Sequence, residues 1–347
     1  MRILVTGHRG YIGSVMVPLL VDAGHEVVGV DTDLFRGCAT APPADPVPEL
    51  ELDIRDVERS HLDGFAAVVH LAALSKDPLS DLNPEVTDEI NHLASVRLAR
   101  LAKQAGVQRF LFSSSCSVYG RVDAGLVDES SESDPATPYN ISKALVEQEL
   151  RSLADDDFSP TYLRNATAYG VSPRHDFDLV LNNLVAWAHT EGRVHIKSDG
   201  SPWRPVVHVE DISRAFLATL EAPREVVHNQ TLNVGRSEEN YRIRDLAEIV
   251  QEVVEGSTVD YATGDGPPAR SYRVDFSKIQ GLLPDFKPQW DARSGAEQLH
   301  AAYGSMSLAL DDFEGPRYKR VEHLKQLLDS GRVDPTLRWR DSPVLAT

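Results

Sequence analysis

Three glycines spaced three apart, in Thr6-Gly7-His8-Arg9-Gly10-Tyr11-Ile12-Gly13, constrain this chain more than any other feature. They separate a short apolar run, Ile3 to Thr6, from a segment, Tyr11 to Ala23, whose apolar residues recur at helical spacing. The chain therefore opens strand, turn, helix. Glycines in such a turn permit close backbone approach to a pyrophosphate, and the helix N-terminus offers it unpaired N–H groups and a partial positive charge. On the glycines alone, a plain strand-to-helix turn is an equal reading. Asp31 tips the balance. It ends a second strand begun at Glu26 and stands 18 residues after Gly13, where a carboxylate accepts hydrogen bonds from the adenosine ribose and repels a 2′-phosphate. NAD is expected over NADP, with Gly7, Gly10, Tyr11, Ile12, Gly13 and Asp31 as contacts. His8 and Arg9 pull the other way, because an arginine in this turn can reach a 2′-phosphate. Asp53-Ile54 follows another short strand and is a candidate for the adenine edge, with a solvent-facing loop carboxylate as the alternative.

Further apolar runs at Ala67 to Leu71, Arg109 to Phe112 and Thr161 to Leu163 alternate with helical patterns around Val86 to Ala105 and Ala144 to Leu153. That alternation predicts an α/β fold, a doubly wound parallel sheet covered on both faces. Residues 1–165 are expected to form the dinucleotide-binding domain, with a return to it over about 206–233. Residues 166–347 form mainly a smaller substrate-binding lobe and a tail. The segment Ala39 to Pro48 carries Pro42, Pro43, Pro46 and Pro48 and reads as a surface loop. A polar helix is expected around Tyr318 to Asp329.

Charge narrows the partners. With Lys+Arg 35 against Asp+Glu 53, the net charge of −18 disfavours a nucleic-acid binder, which needs clustered cations. Cys38 and Cys116 are too few for a disulfide framework or a multi-cysteine zinc site. No metal is expected. No stretch reaches membrane-span length and the N-terminus lacks a secretory pattern, so a cytoplasmic location is expected.

Pro138-Tyr139-Asn140-Ile141-Ser142-Lys143 begins a helix, which sets Tyr139 and Lys143 one turn apart on one face. A free tyrosine titrates near ~10, so only about one phenol in a thousand is ionised at neutral pH, and a neighbouring ammonium favours the phenolate. An ordinary exposed i,i+4 pair is the alternative for Tyr139 and Lys143 in isolation. They are not isolated. Ser113-Ser114-Ser115-Cys116-Ser117-Val118-Tyr119-Gly120 follows an apolar strand upstream, placing hydroxyls at the carboxyl end of a parallel sheet, where such folds bind ligands.

With His70-Leu71-Ala72-Ala73, Asn91 and Arg164-Asn165-Ala166-Thr167-Ala168-Tyr169-Gly170, these motifs resemble the extended short-chain dehydrogenases of the nucleotide-sugar epimerase and dehydratase group, from Met1 to about residue 290. The resemblance implies a Rossmann-type sheet. It implies Ser115 as the hydroxyl on the sugar oxygen, Tyr139 as acid/base and Lys143 as the grip on the nicotinamide ribose. Leu71, Ala72, Ala73 and Asn91 would lie on the cofactor, with a proton-relay or structural role also implied for Asn91, and Asn165 would lie on the substrate. Arg204, within Asp199 to Asp211, is similar to the family's diphosphate-binding arginine; Asn182, Asn183 and Arg270 resemble further substrate contacts. A homodimer is expected.

Dehydratases of this group follow the catalytic hydroxyl with an Asp-Glu pair, and the decarboxylases carry a Glu at the position of Ser117; this chain has Cys116 and Ser117. What remains fits an NAD-dependent epimerase of a nucleotide-diphosphate sugar, at C4, by transient oxidation and hydride return. A nucleotide-sugar keto-reductase, a C3 or C5 epimerase using Asp178, and a non-catalytic dinucleotide-binding protein stand as alternatives.

Overall fold

The computed structural model describes residues 1–340 apart from 41–45, 123–124, 197 and 262–270. Its strands run, in chain order, β1 (Arg2–Thr6), β2 (Glu26–Asp31), β3 (Glu49–Glu51), β4 (Ala67–His70), β5 (Arg109–Ser115), β6 (Ser159–Asn165), β7 (Thr167–Tyr169), β8 (Arg193–Ile196), β9 (Trp203–His208), β10 (Thr231–Val234), β11 (Asn240–Arg242) and β12 (Thr258–Tyr261). A seven-stranded parallel sheet takes the order β10-β6-β5-β4-β1-β2-β3. Every residue of β4 and β6 is buried, as a sheet covered on both faces requires.

The two-residue period sorts side chains to opposite faces. Ile3 and Val5 join Met16, Leu20 and Phe216 under the helices Gly13–Asp22 and Val209–Glu221. Leu4 joins Val68, Phe110, Leu98 and Val146 under Ala94–Gln104 and Pro138–Arg151. Strand order reverses beside β1, which pairs with β2 on one side and with β4 on the other. Such a reversal opens a crevice at the carboxyl ends of the strands.

After β6 the chain builds two smaller sheets, β11-β9-β7 and β12-β8, against the helices Val180–Glu191, Ile243–Val253 and Ala292–Ser305. Tyr169, Leu181, Val185, Leu246, Val250 and Leu299 share that second core. Between these pieces, Val209–Glu221 and β10 return to the parallel sheet. The helix read at Tyr318 to Asp329 spans Arg320–Asp329. The helix and the segment after it pack on the first half of the chain: Leu324 and Leu327, then Val333 and Leu337, bury against Leu34, Ile54, Leu74 and Leu79. The proline-rich loop at Ala39 to Pro48 falls in large part outside the described residues. No helix among the described residues is long and apolar enough to cross a membrane.

Candidate active site

A cavity of about 470 Å³ lies along the crevice, within the usual size of ligand sites. At its floor Gly7 adopts φ +73°, and a Cβ there would stand 2.7 Å from the Ala72 nitrogen. A Cβ on Gly13 would meet the Gly7 oxygen at 2.3 Å. Any side chain would force the turn off β4 or off its own helix. Gly10, Tyr11 and Ile12 line the same wall, as do Leu71, Ala72 and Ala73 from the loop after β4. A backbone cradle facing open space is what a dinucleotide pyrophosphate requires, so the residues fit such a group.

At one end of the cavity Asp31 accepts from the Arg9 nitrogen at 3.1 Å and the Asp33 nitrogen at 2.8 Å. Burial pushes its carboxyl pKa up, against the opposing pull of those two donors. The Arg9 side chain is turned onto carboxylates: Nη1 donates to Asp33 at 2.6 Å, and Nε donates to Glu49 at 2.9 Å while Nη2 bonds the same carboxylate. His8 meets Glu49 at 2.8 Å. Asp53 and Ile54 also line the cavity, and Asp53 is held by Arg55 through Nε at 3.0 Å and Nη2 at 2.6 Å.

Ser115, Tyr139 and Lys143 come together where β5 ends and the helix Pro138–Arg151 begins. Thr137 caps that helix and Pro138 takes its first turn, the position that tolerates a missing N–H. Lys143 is 3% exposed and donates to the Ser113 carbonyl at 2.6 Å. Its Nζ lies 4.7 Å from the Phe112 ring centroid and 5.6 Å from that of Tyr139. Burial pulls the ammonium pKa down to about 7, against the attraction of Glu147. Glu147 itself pairs with Arg164 at 2.7 Å and accepts from Ser114 Oγ at 2.5 Å. Ser115 Oγ accepts from the Ser117 nitrogen at 3.1 Å and lies 2.8 Å from Ser117 Oγ, whose hydroxyl donates to Asn140 Oδ1 at 2.5 Å. This chain of hydroxyls orients Ser115. Cys116 is fully buried, its thiol donates to the Arg164 carbonyl at 3.0 Å, and burial raises its pKa.

Asn165 lines the cavity, with Nδ2 on Ser113 Oγ at 3.1 Å and a buried Oδ1 that has no protein partner. Arg204, in β9, lines the opposite side and donates to the Trp203 carbonyl at 2.8 Å. Three expected contacts lie elsewhere. Asn91 does not line the cavity; its amide brackets Leu74, accepting from N at 2.8 Å and donating to O at 3.0 Å, so it shapes the loop after β4. Asn182 is fully buried and spends its amide on Gly170, Tyr11 and the Asp176 carbonyl. Asn183 donates to the Phe177 carbonyl at 2.9 Å and is also off the cavity. Both tie down the segment between β7 and the helix Val180–Glu191 and stand off the cavity. Arg270 lies outside the described residues. The structure adds Lys76, Asp176 and Arg320 to the lining. Lys76 had a signal, its place just after the His70-Leu71-Ala72-Ala73 motif; Arg320 had none.

The model of the NAD-dependent epimerase/dehydratase family matches residues 3–235. The UDP-glucose 4-epimerase of Mycolicibacterium smegmatis is 35% identical over 68% of this chain and 77% of its own length. That of Corynebacterium glutamicum is 30% identical over 73% and 80%. Among solved structures, MoeE5 in complex with UDP-glucose and NAD superposes with a TM-score of 0.75 at 29% identity, covering 88% of this chain and all of that one.

Proposed function

Since the chain belongs to the NAD-dependent epimerase/dehydratase family, we propose that it epimerises a nucleotide-diphosphate sugar at C4. The observation that carries this reading is the company of Ser115, Tyr139 and Lys143 at one cavity end, followed by Cys116 and Ser117 where elimination chemistry needs carboxyl groups. Its cofactor is NAD. When bound, NAD supplies a hydride acceptor and donor at the sugar carbon. Tyr139 takes the proton of the adjacent hydroxyl and returns it to the same oxygen. Ser115, held by Ser117 and Asn140, fixes that oxygen, and Lys143 lowers the cost of the phenolate. Asp178, the base a C3 or C5 epimerase would need, lines the cavity but faces Lys76 at 3.5 Å and Lys319 at 3.7 Å, and two ammonium partners lower the basicity of a carboxylate, which supports the C4 reading over that one.

The test is a nucleotide sugar deuterated at C4, incubated without added NADH. The product is the C4 epimer with its deuterium retained. Loss of the label to water would overturn C4 hydride chemistry, and turnover only with stoichiometric NADH or NADPH on a keto-sugar would make the protein a reductase.

Two further expectations arise from the site. NAD+ binds about 10²-fold more tightly than NADP+, because Asp31 lines the cavity end where a ribose 2′-phosphate would approach and the Arg9 side chain is engaged by Asp33 and Glu49; a phosphate about 6 Å from one carboxylate costs about 3 kcal/mol at an effective dielectric near 20. Equal calorimetric affinities would show that Arg9 leaves its clamp. Arg204→Ala raises KM about 10- to 100-fold for the nucleotide sugar and not for the sugar alone, as loss of a charge-assisted contact predicts. An unchanged KM would remove Arg204 from the diphosphate. A homodimer and a cytoplasmic location are proposed as well; the helix Pro138–Arg151 packs beside 89–93, and each carries an exposed apolar residue, Ile141 and Leu93, which supports an interface there.

A further inference from the structure

The loop after β4 and the C-terminal helix meet over the glycine turn, although 243 residues separate Lys76 from Lys319 in the sequence. Asp176 lies between them, with 2% of its surface exposed. It is paired with Lys76 on one oxygen and with Arg320 on the other at 3.5 Å. Burial alone would raise the Asp176 carboxyl, and Arg320 and Lys76 outweigh it, holding the pKa below the ordinary value. Asp176 also stands close to Tyr11 of the glycine turn, whose partner Asn182 bonds the Asp176 carbonyl at 3.0 Å. Lys76 occupies φ +77°, a backbone conformation that a lysine adopts only when its surroundings impose it.

Arg320 lines the cavity, and its guanidinium lies 5.1 Å from the centroid of Phe35, another lining residue at the Asp31 end. Among the described residues it meets this one carboxylate and donates no hydrogen bond. The segment that delivers it is fastened to the first half of the chain. Trp339 Nε1 donates to the Thr32 carbonyl at 2.7 Å, His323 Nε2 lies 3.0 Å from the Leu34 carbonyl, and Arg55 donates to the Thr336 carbonyl at 2.9 Å. In a chain of net charge −18, a largely buried arginine that lines a cavity and meets a single carboxylate, at 3.5 Å and through one nitrogen, keeps donors for an anion.

The geometry points to Arg320, with Lys76 across from it, as a cationic clasp over the NAD pyrophosphate, supplied by a C-terminal segment beyond residue 235, where the family match ends. The inference rests on NAD being the cofactor. A nucleoside diphosphate on the substrate shares the same chemistry, and its separate titration distinguishes the two sources. Full-length ligand-stripped protein, wild type and R320Q, is titrated calorimetrically with NAD+, ADP, adenosine and UDP. R320Q weakens NAD+ and ADP about tenfold or more, and leaves adenosine and UDP within about twofold; R320K recovers part of the loss. Equal NAD+ affinity in wild type and R320Q overturns the clasp alone. A parallel loss with adenosine overturns it in favour of a distorted adenosine loop, and a loss confined to UDP assigns Arg320 to the substrate. Failure of the wild type to bind NAD+ overturns the cofactor assignment, and the clasp with it.

Discussion

Replacing Tyr139 with phenylalanine lowers turnover of the nucleotide sugar by about 10²- to 10⁴-fold and leaves NAD in place, the range over which a positioned acid or base contributes. The ring remains to pack, and the hydroxyl that carries the proton is lost. Lys143, 5.6 Å from the ring, still holds the Ser113 carbonyl, and the glycine cradle is untouched. Turnover measured on NDP-sugars, beside the NAD content of the purified variant, separates the two effects. A variant that keeps more than about a tenth of the wild-type rate would transfer the proton role to Ser115 or another group.

Lys143→Met is expected to abolish turnover to a similar extent and, at the same time, to raise the stability of the ligand-free protein. The lysine is buried, and burial brings its pKa in the folded chain to about 7, below its ordinary value of 10.5. Between those values the unfolded chain binds more protons, so stability rises with pH across the interval. The cost of burying the charge is thus present in full below about pH 7 and fades toward pH 10. Methionine keeps the apolar stem and removes the charge. The gain is on the order of 3 kcal/mol at neutral pH, after some loss at the Ser113 carbonyl, or roughly 5 °C in Tm. Thermal melts at pH 7 and pH 9.5 check it. A lower Tm at pH 7, or a gain that grows with pH, would mean that the Glu147 attraction outweighs desolvation.

Features written in consecutive residues were legible before any coordinates. The glycine turn, Asp31 at the end of β2, and Tyr139 one turn before Lys143 each follow from local spacing, and the cavity gathers them. An asparagine in a helix looks alike in sequence whether it faces a ligand or its own backbone; Asn182 is buried among Gly170, Tyr11 and Asp176, and Asn183 bonds the Phe177 carbonyl, and both are tertiary facts. Asn91 braces the loop after β4 through the Leu74 backbone, the structural role among those its motif implies. Arg9 carried two opposite meanings until β3 brought Glu49 beside it. Arg320 was invisible because nothing local relates the start of a polar helix to a turn more than three hundred residues earlier.

The return of β10 to the edge of β6 has a consequence for synthesis. A nascent chain that has emerged only as far as Asn165 presents β6, apolar or tightly packed at all seven positions in the finished protein, with one row of backbone donors and acceptors unpaired. Such a row templates association with another chain. The interval lasts until Val234 has left the ribosome, about 69 residues later, or several seconds at ordinary elongation rates. Chaperone demand should therefore concentrate in that window, and a fragment cut at residue 165 should aggregate where the longer chain to Val234 and beyond does not.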